Sequence, residues 1–168
     1  ASEILRYVSE DFPLQRPELW IEPGRAMVGE AGILVSEVVL ISQKNRRDVH
    51  KWVYLDVGLF GGLIETLGEA IKYPVVTDRT PTLAHVVQAP DSGWPTTRTD
   101  MEVILAGPTC DSMDILDQNH RYRLPKDLQV GDHVYFLSTG AYTSSYSSVE
   151  FNGFPPLATH FIDTEEGK

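Results

Sequence analysis

The sequence predicts a mainly β protein, an antiparallel barrel or sandwich preceded by one α/β unit. From residue 33 onward, runs rich in β-branched and aromatic residues recur at roughly ten-residue spacing between Gly, Pro, Asp and Ser, which is typical of antiparallel sandwiches and barrels. Before that point a helical pattern, a polar loop and a short apolar run follow one another. We therefore divide the chain into residues 1–32 and a β-domain over residues 33–168.

The α/β unit is predicted from two patterns in the first segment. Apolar residues fall on one face of a helix over residues 1–10, and the helix ends before Pro13 because the residue preceding a proline is pushed out of the α region. The run "ELWIEPGR", residues 18–25, predicts a short strand that stops at Pro23 and Gly24. A helix, a loop and a strand in this order are typical of the last unit of an α/β repeat.

The strands of the β-domain are predicted where short apolar runs are rich in β-branched residues. These runs cover residues 32–45, 52–58, 73–77, 84–89, 102–107, 133–139 and 147–153. Residues 124–137 predict a turn leading into a strand. Between the second and third runs, "GGLIETLGEAI" predicts a short helix or an irregular segment, because Gly68 weakens a helix.

Composition excludes several classes of function. The chain has 168 residues, of which 42% are hydrophobic, enough for a normal buried core. A formal net charge of -10 argues against nucleic acid or an anionic membrane surface as a partner. No apolar run reaches the roughly 18 residues that span a bilayer. With one cysteine and no signal-peptide pattern, we expect a cytoplasmic protein.

Two stretches carry groups suited to an anion. In "WIEPGR", Arg25 offers a planar fork that matches a phosphate, and Gly24 lets the backbone approach closely. In "STGAYTSSYSS", residues 138–148, hydroxyls and backbone amides following a glycine could form an anion nest around Tyr142. Taken separately, the first stretch is more typical of a surface ion pair, and the second is more typical of a polar hairpin loop.

The single cysteine, Cys110, is followed directly by Asp111. The five histidines are scattered without ligand spacing around Cys110, so we expect no metal site. No basic neighbour favours the thiolate, and Asp111 opposes it by like-charge repulsion. A thiol kept protonated is a poor nucleophile and a usable acid, although a Cys–His nucleophile stays open as an alternative.

Four motifs occur in the order expected for one family: "EPGR" (22–25), "DVGLFGGLIETLGEAIKYP" (56–74), "AGPTCDSMD" (106–114) and "GAYTSSY" (140–146). With them the chain resembles the C-terminal portion of the pyridoxal-phosphate ornithine/lysine decarboxylases of the alanine-racemase-like fold, in their bacterial branch. The resemblance implies that residues 1–32 end a TIM-type α/β barrel that binds the cofactor. It also implies head-to-tail homodimers whose two active sites lie at the subunit interface.

The resemblance assigns cofactor contacts one residue at a time. Glu22 matches the carboxylate that pairs with the pyridine nitrogen of pyridoxal phosphate. Gly24 and Arg25 match the phosphate-binding turn, and Tyr142 matches a tyrosine that also holds the phosphate. A carboxylate at the ring nitrogen keeps that nitrogen protonated, which strengthens the cofactor as an electron sink.

The resemblance also assigns the substrate contacts. Cys110 and Asp111 match a pair that enters the active site of the partner subunit. Asp111 would bind the distal ammonium of the diamino-acid substrate, and Cys110 would return a proton to the α-carbon. Glu69 falls where the family places another acid near that ammonium, although many relatives have aspartate there.

The Schiff-base lysine of the family lies upstream of every motif found here, and no lysine of this chain matches its context. We therefore expect the chain to be inactive alone and to need the N-terminal barrel segment, whether separate or cleaved. Alternatives are a non-catalytic binding or regulatory domain, a diaminopimelate or carboxynorspermidine decarboxylase, and a β-barrel module without a site. The choice between ornithine and lysine stays open, because one methylene gives little discrimination.

Overall fold

The computed structural model describes residues 20–79 and 100–162, together with Arg6 and Glu18. Within these ranges the chain forms one short helix and seven strands. They are α1 (Arg25–Val28), β1 (Ile33–Ser42), β2 (Lys51–Leu55), β3 (Val75–Thr77), β4 (Asp100–Ala106), β5 (Ile115–Leu116), β6 (Tyr122–Pro125) and β7 (His133–Leu137). Short 3-10 segments lie at Gly29–Ala31, Ile64–Glu69, Ser144–Tyr146 and Phe151–Gly153, and the second of them is interrupted at Leu67 and Gly68.

The seven strands belong to one sheet in the order β3-β7-β1-β2-β4-β5, and β6 pairs with the first half of β4. Every pairing is antiparallel apart from that of β2 with β4, which is parallel. Strand β3 also approaches β6, so the sheet curls until it nearly closes. The mainly β, barrel-like class expected from the sequence is confirmed.

Strand β1 is the longest strand and lies between β7 and β2. Its first residues alternate strictly, with Leu34, Ser36 and Val38 buried and the intervening side chains exposed. This alternation is expected of an antiparallel strand with one face on a core and one on solvent. The register with β2 shifts between Val38 and Leu40, so β1 bends as it passes from one partner to the other.

The core fills the inside of the curled sheet. Its residues come from all seven strands, from the segment after β2, and from the connections before β3 and after β6: Leu34, Val38, Val53, Leu55, Leu59, Leu63, Tyr73, Val75, Val103, Leu105, Leu116, Tyr122, Leu124, Leu128, Val134 and Phe136. Burial of this much apolar surface is the main stabilising contribution to the fold. The loops at the ends of these strands are therefore attached to a well-packed core.

Most strand predictions are confirmed, and the differences have physical causes. Residues 147–153 form bends and a 3-10 turn, because Glu150, Asn152 and Gly153 all have positive φ, which a strand excludes. The predicted strand over residues 18–25 is wrong for Glu18 and for residues 20–22, which have no strand partner in the described chain. The short strands β5 and β6 were not predicted.

Several expectations fall wholly or largely outside the described residues. The strand over residues 84–89 cannot be compared, and of the helix over residues 1–10 only Arg6 is described, as helical. The division at residue 32 stays a prediction, although β1 begins at Ile33. None of the helices in residues 20–79 and 100–162 has the length and apolarity that crossing a bilayer requires.

A carboxylate network fixes the end of β3 to β7. The hydroxyl of Tyr135 donates to Asp78 Oδ1 at 2.6 Å, and the backbone N–H of His133 donates to Asp78 Oδ2 at 2.7 Å. These bonds favour the ionised carboxylate and lower the pKa of Asp78 to about 2, with the Tyr135 hydroxyl as the largest cause. The edge of the sheet therefore depends on an ionised Asp78.

We predict that the contribution of Asp78 to stability is lost in acid. A carboxyl whose folded pKa is depressed stabilises above its unfolded pKa of 3.8, and this contribution disappears as the pH falls through about 2. Asp78→Asn should lower the melting temperature at pH 6, and the difference from the unaltered chain should shrink below pH 4.

The measurement is thermal unfolding by circular dichroism at a series of pH values from 2 to 7. Glu30→Gln, at an exposed carboxyl in the turn Gly29–Ala31, is the control and should show no such convergence. A melting-temperature difference for Asp78→Asn that is the same at every pH would contradict the prediction.

Candidate cofactor and substrate site

The residues directly after α1, 29–32, are held against the loop that follows β7. The backbone N–H of Thr139 donates to Gly32 O at 3.0 Å, and that of Gly140 donates to Gly29 O at 2.8 Å. A Cβ at Gly140 would overlap the carbonyl of Val28, so only glycine permits this backbone approach. The two anion-binding stretches identified in the sequence therefore lie side by side.

Tyr142 reaches the turn from this loop. Its backbone has φ 60, a left-handed conformation that aims the side chain back toward α1. Its ring centroid lies 5.4 Å from the guanidinium carbon of Arg25. A Cβ built on Gly24 would come within 3.0 Å of the Tyr142 hydroxyl oxygen, so glycine keeps that position open. Gly24, Arg25 and Tyr142 therefore converge at one place.

This arrangement fits a phosphate group. A guanidinium and a phenol are both donors, and the absent Cβ at Gly24 lets the phenol come close to the backbone of the turn. Glu65 pairs with Arg25 Nη2 and is the largest cause of a raised pKa for the guanidinium, which stays charged. Glu22 is exposed beside the turn and has no hydrogen-bond or ion-pair partner among the described residues.

The loop that carries Cys110 is organised by a buried carboxylate, Asp114, which is 2% exposed. Asp114 accepts hydrogen bonds from the backbone N–H of Leu59 at 2.7 Å, and from Thr109 through its N–H at 3.1 Å and its hydroxyl at 2.6 Å. A Cβ at Gly58 or Gly107 would collide with this carboxylate. The absence of side chains at these two glycines thus leaves room for the Asp114 carboxylate, whose hydrogen bonds connect the loop to the segment after β2.

Cys110 and Asp111 lie at the outside of this fixed loop. The thiol is exposed, with Sγ 3.9 Å from Asn152 Nδ2. Asp111 is half-buried and accepts a hydrogen bond from the backbone N–H of Met113 at 2.8 Å, which closes a local turn. In the described chain no hydrogen bond or ion pair joins this pair to Arg25 or Tyr142.

Glu69 ends the 3-10 turn that follows β2 and has φ 60. Its carboxylate accepts the backbone N–H of Asn119 at 2.6 Å and contacts His120 Nδ1. These two interactions, the Asn119 bond first, lower the pKa of Glu69. The structure thus places Glu69 against the loop after β5, and within the described ranges no hydrogen bond or ion pair links it to Cys110 or Asp111.

A cavity of about 230 Å³ lies next to the Cys110 loop. Its walls are mainly apolar and include Phe60 and Phe151, whose ring centroids are 4.2 Å apart. Thr109 forms part of the same wall, and Asp56 supplies the carboxylate. Asp56 Oδ1 is fixed by the hydroxyl of Ser36 at 2.6 Å.

Asp56 and Asp114 were not identified as candidate site residues from the sequence. Asp56 directly follows β2 and is the first residue of the family motif at residues 56–74. An acid in this position was a usable signal of a site residue. The anchoring role of Asp114 had no local signal, because its partner Leu59 lies far away in the sequence. Across residues 20–79 and 100–162 no group of His, Cys, Asp and Glu side chains is arranged to hold a metal ion.

Comparison with known proteins identifies the family. Residues 7–140 match the model of the pyridoxal-dependent decarboxylase C-terminal sheet domain. The chain belongs to this family. The curled sheet is thus the C-terminal sheet domain of this family, whose cofactor is pyridoxal phosphate.

The similar proteins include more than one kind of decarboxylase. The chain is 35% identical to a diaminopimelate decarboxylase of Buchnera aphidicola over 148 residues, covering 84% of this chain and 32% of that protein. It is 32% identical to the lysine/ornithine decarboxylase of Selenomonas ruminantium over 136 residues, covering 81% and 28%. A crystal structure of lysine decarboxylase from Selenomonas ruminantium matches with a TM-score of 0.64 and 27% identity, covering 98% of this chain and 36% of that one. The chain thus spans about a third of the length of these relatives.

We predict that removing Asp114 destabilises the domain. Asp114→Ala leaves buried N–H donors without an acceptor and opens a void between Gly58 and Gly107, which should lower the free energy of unfolding by about 3 kcal/mol. Asp111→Ala is the matched control, because that carboxylate is half-buried and makes a single local bond, so its cost should be about 1 kcal/mol or less.

Urea denaturation followed by tryptophan fluorescence measures both values. Equal losses for the two variants would show that Asp114 has no special anchoring role in the Cys110 loop.

Proposed function

We propose that this chain is the C-terminal part of a pyridoxal-phosphate-dependent decarboxylase acting on ornithine, lysine or both. It works with the N-terminal barrel segment of the same enzyme, in a homodimer whose active sites are shared at the interface. The observation that supports this most directly is the convergence of Gly24, Arg25 and Tyr142, a donor set suited to the phosphate of the family's cofactor.

The residues near the turn have separate tasks in this proposal. Bound pyridoxal phosphate supplies the electron sink for the charge left at the substrate's α-carbon by loss of carbon dioxide. Arg25 and Tyr142 anchor the phosphate and so orient the ring without taking part in bond breaking. Glu22, which is exposed and unpaired in the described chain, pairs with the pyridine nitrogen and keeps it protonated.

Cys110 and Asp111 serve the active site of the second subunit. The loop that carries them is fixed by Asp114 and presents the Cys110 thiol to solvent, with Asp111 half-buried beside it, which suits residues that act across an interface. Asp111 binds the distal ammonium of the substrate, and Cys110 returns a proton to the α-carbon. Glu69 is the second acid near that ammonium, held rigid by its bonds to the loop after β5.

The charges around the Cys110 loop favour a substrate with a free distal ammonium. Asp111 lies on the loop itself, and the neighbouring cavity contains the carboxylate of Asp56. Diaminopimelate carries a second carboxylate at its distal end and would need a cation there. Among the described residues, no Lys or Arg lines that cavity.

Exposed apolar side chains before α1 support the proposal that the barrel segment packs against this part of the chain. Trp20 is 80% exposed and Ile21 is 72% exposed. Leaving large apolar groups in water costs about 25 cal/mol per Å², so a segment that covers them gains free energy. The barrel segment joined to this part of the chain is the natural cover.

The deciding experiment uses the full-length protein that carries this chain, or both segments purified together. We expect a cofactor absorbance band, and carbon dioxide release from ornithine or lysine well above that from diaminopimelate. A complex of both segments that never acquires the band would overturn the cofactor assignment. Release from diaminopimelate alone would overturn the substrate assignment and leave the cofactor assignment standing.

We predict that Cys110→Ala changes the product as well as the rate. Without the thiol, the proton is added at a position other than the substrate's α-carbon in part of the turnovers, so an aldehyde by-product should accompany the diamine. The rate of diamine formation should fall about 100-fold or more, since a positioned acid typically contributes a factor of roughly 10² to 10⁴. Carbon dioxide and both products are quantified in the same reaction, and unchanged rate and product purity would dismiss the role of Cys110.

We predict that Asp111→Asn acts mainly on substrate binding. Loss of the carboxylate should raise KM for ornithine or lysine about tenfold or more, because an ammonium loses its counter-charge. Asp127→Asn, at an exposed carboxyl in the turn after β6, is the control. Equal KM values for the Asp111 variant and the control would contradict the assignment.

A further inference from the structure

Arg25 is held by an acid, Glu65, to which the family resemblance assigns no role. Its Nη2 pairs with the carboxylate of Glu65, from the 3-10 turn Ile64–Glu69. The two side chains are 31% and 22% exposed, so the pair is largely shielded from water. Such a pair is worth more than one on the open surface.

Glu65 is itself fixed at both its backbone and its side chain. The backbone N–H of Ile71 donates to Glu65 O at 3.0 Å, so the chain is closed over the turn. The hydroxyl of Tyr73 donates to Glu65 Oε2 at 3.3 Å, and Tyr73 is 1% exposed in the core. Burial raises the pKa of Tyr73, so its hydroxyl keeps the proton that it donates. A chain of contacts thus runs from the core through Tyr73 and Glu65 to Arg25.

We propose that Glu65, supported by Tyr73, is a positioning residue that presents Arg25 to the cofactor phosphate. This inference rests on the proposed function, which gives Arg25 its phosphate. Glu65 takes one guanidinium nitrogen, and the ring of Tyr142 lies against the group at 5.4 Å, so the plane of the guanidinium is set from two sides. Arginine has five N–H donors, and those not used by Glu65 remain for the phosphate.

Two effects of Glu65 oppose each other, and geometry decides between them. Its negative charge repels a dianion, whereas its bond removes the rotamer freedom that an arginine otherwise loses on binding. The Tyr73 hydroxyl donates to the same carboxylate oxygen that pairs with Arg25, which draws charge away from the phosphate side. Glu65 also raises the pKa of Arg25. Positioning therefore outweighs repulsion.

The test compares pyridoxal phosphate with pyridoxal, which lacks the phosphate, on the full-length protein that carries this chain. After removal of bound cofactor, dissociation constants are measured by fluorescence quenching. Glu65→Ala should weaken pyridoxal phosphate about tenfold and leave pyridoxal unchanged. Glu65→Gln, which can still accept a bond from Arg25, should restore part of the affinity.

Two further variants separate positioning from general damage. Tyr73→Phe removes only the hydroxyl that supports Glu65 and should weaken pyridoxal phosphate by a smaller factor, about threefold. Glu30→Ala, in the exposed turn after α1, is the matched control and should have no effect. Melting temperatures of all variants are recorded, so that loss of fold is recognised as such.

Several results would overturn the inference while the proposed function stands. All three concern Glu65→Ala: an unchanged dissociation constant for pyridoxal phosphate, a lower dissociation constant for it, or an equal loss of affinity for pyridoxal phosphate and pyridoxal. A lower constant would mean that Glu65 competes with the phosphate for Arg25. Equal binding of the two compounds by the unaltered protein would overturn the proposed phosphate contacts, and the role of Glu65 with them.

Discussion

The bonds of one buried carboxylate hold the candidate catalytic loop to the rest of the molecule. Asp114 is almost fully buried, and it bridges the loop after β4 and the segment after β2 through backbone and hydroxyl donors. A buried polar group in such a place is stabilised only while its hydrogen-bond partners stay in position. The bonds therefore fix both segments at once, and Cys110 and Asp111 are presented from a rigid loop.

The site is supported by glycines as much as by charged groups. Gly58 and Gly107 leave space for the Asp114 carboxylate, and Gly24 leaves space beside the Tyr142 hydroxyl. Gly140 lets its loop press against α1. In each place a Cβ would separate two segments that must touch, so the geometry of the charged side chains depends on residues that have none.

The sequence predicted the fold where local patterns were long enough to be decisive. Strand β1 is a ten-residue run dense in β-branched residues, whereas β5 has two residues and β6 ends in a proline, so neither β5 nor β6 carries a recognisable pattern. The convergence of Arg25 and Tyr142 came from the family resemblance, since their spacing in the sequence predicts nothing. The roles of Glu65 and Asp114 depend on partners distant in the chain, Arg25 and Leu59, which no local pattern could supply.

The parallel pairing of β2 and β4 has a consequence for the order of assembly. Strands β1 and β2 are joined by a short connection and can pair early, whereas β4 begins at Asp100 and must close a far longer connection before it pairs with β2. The segment that bears Cys110 leaves β4 directly, so Cys110 reaches its final place only after β4 has paired with β2. Tyr142 follows β7 and lies further along the chain than Cys110, so during synthesis the Cys110 loop emerges before Tyr142 can contact Arg25.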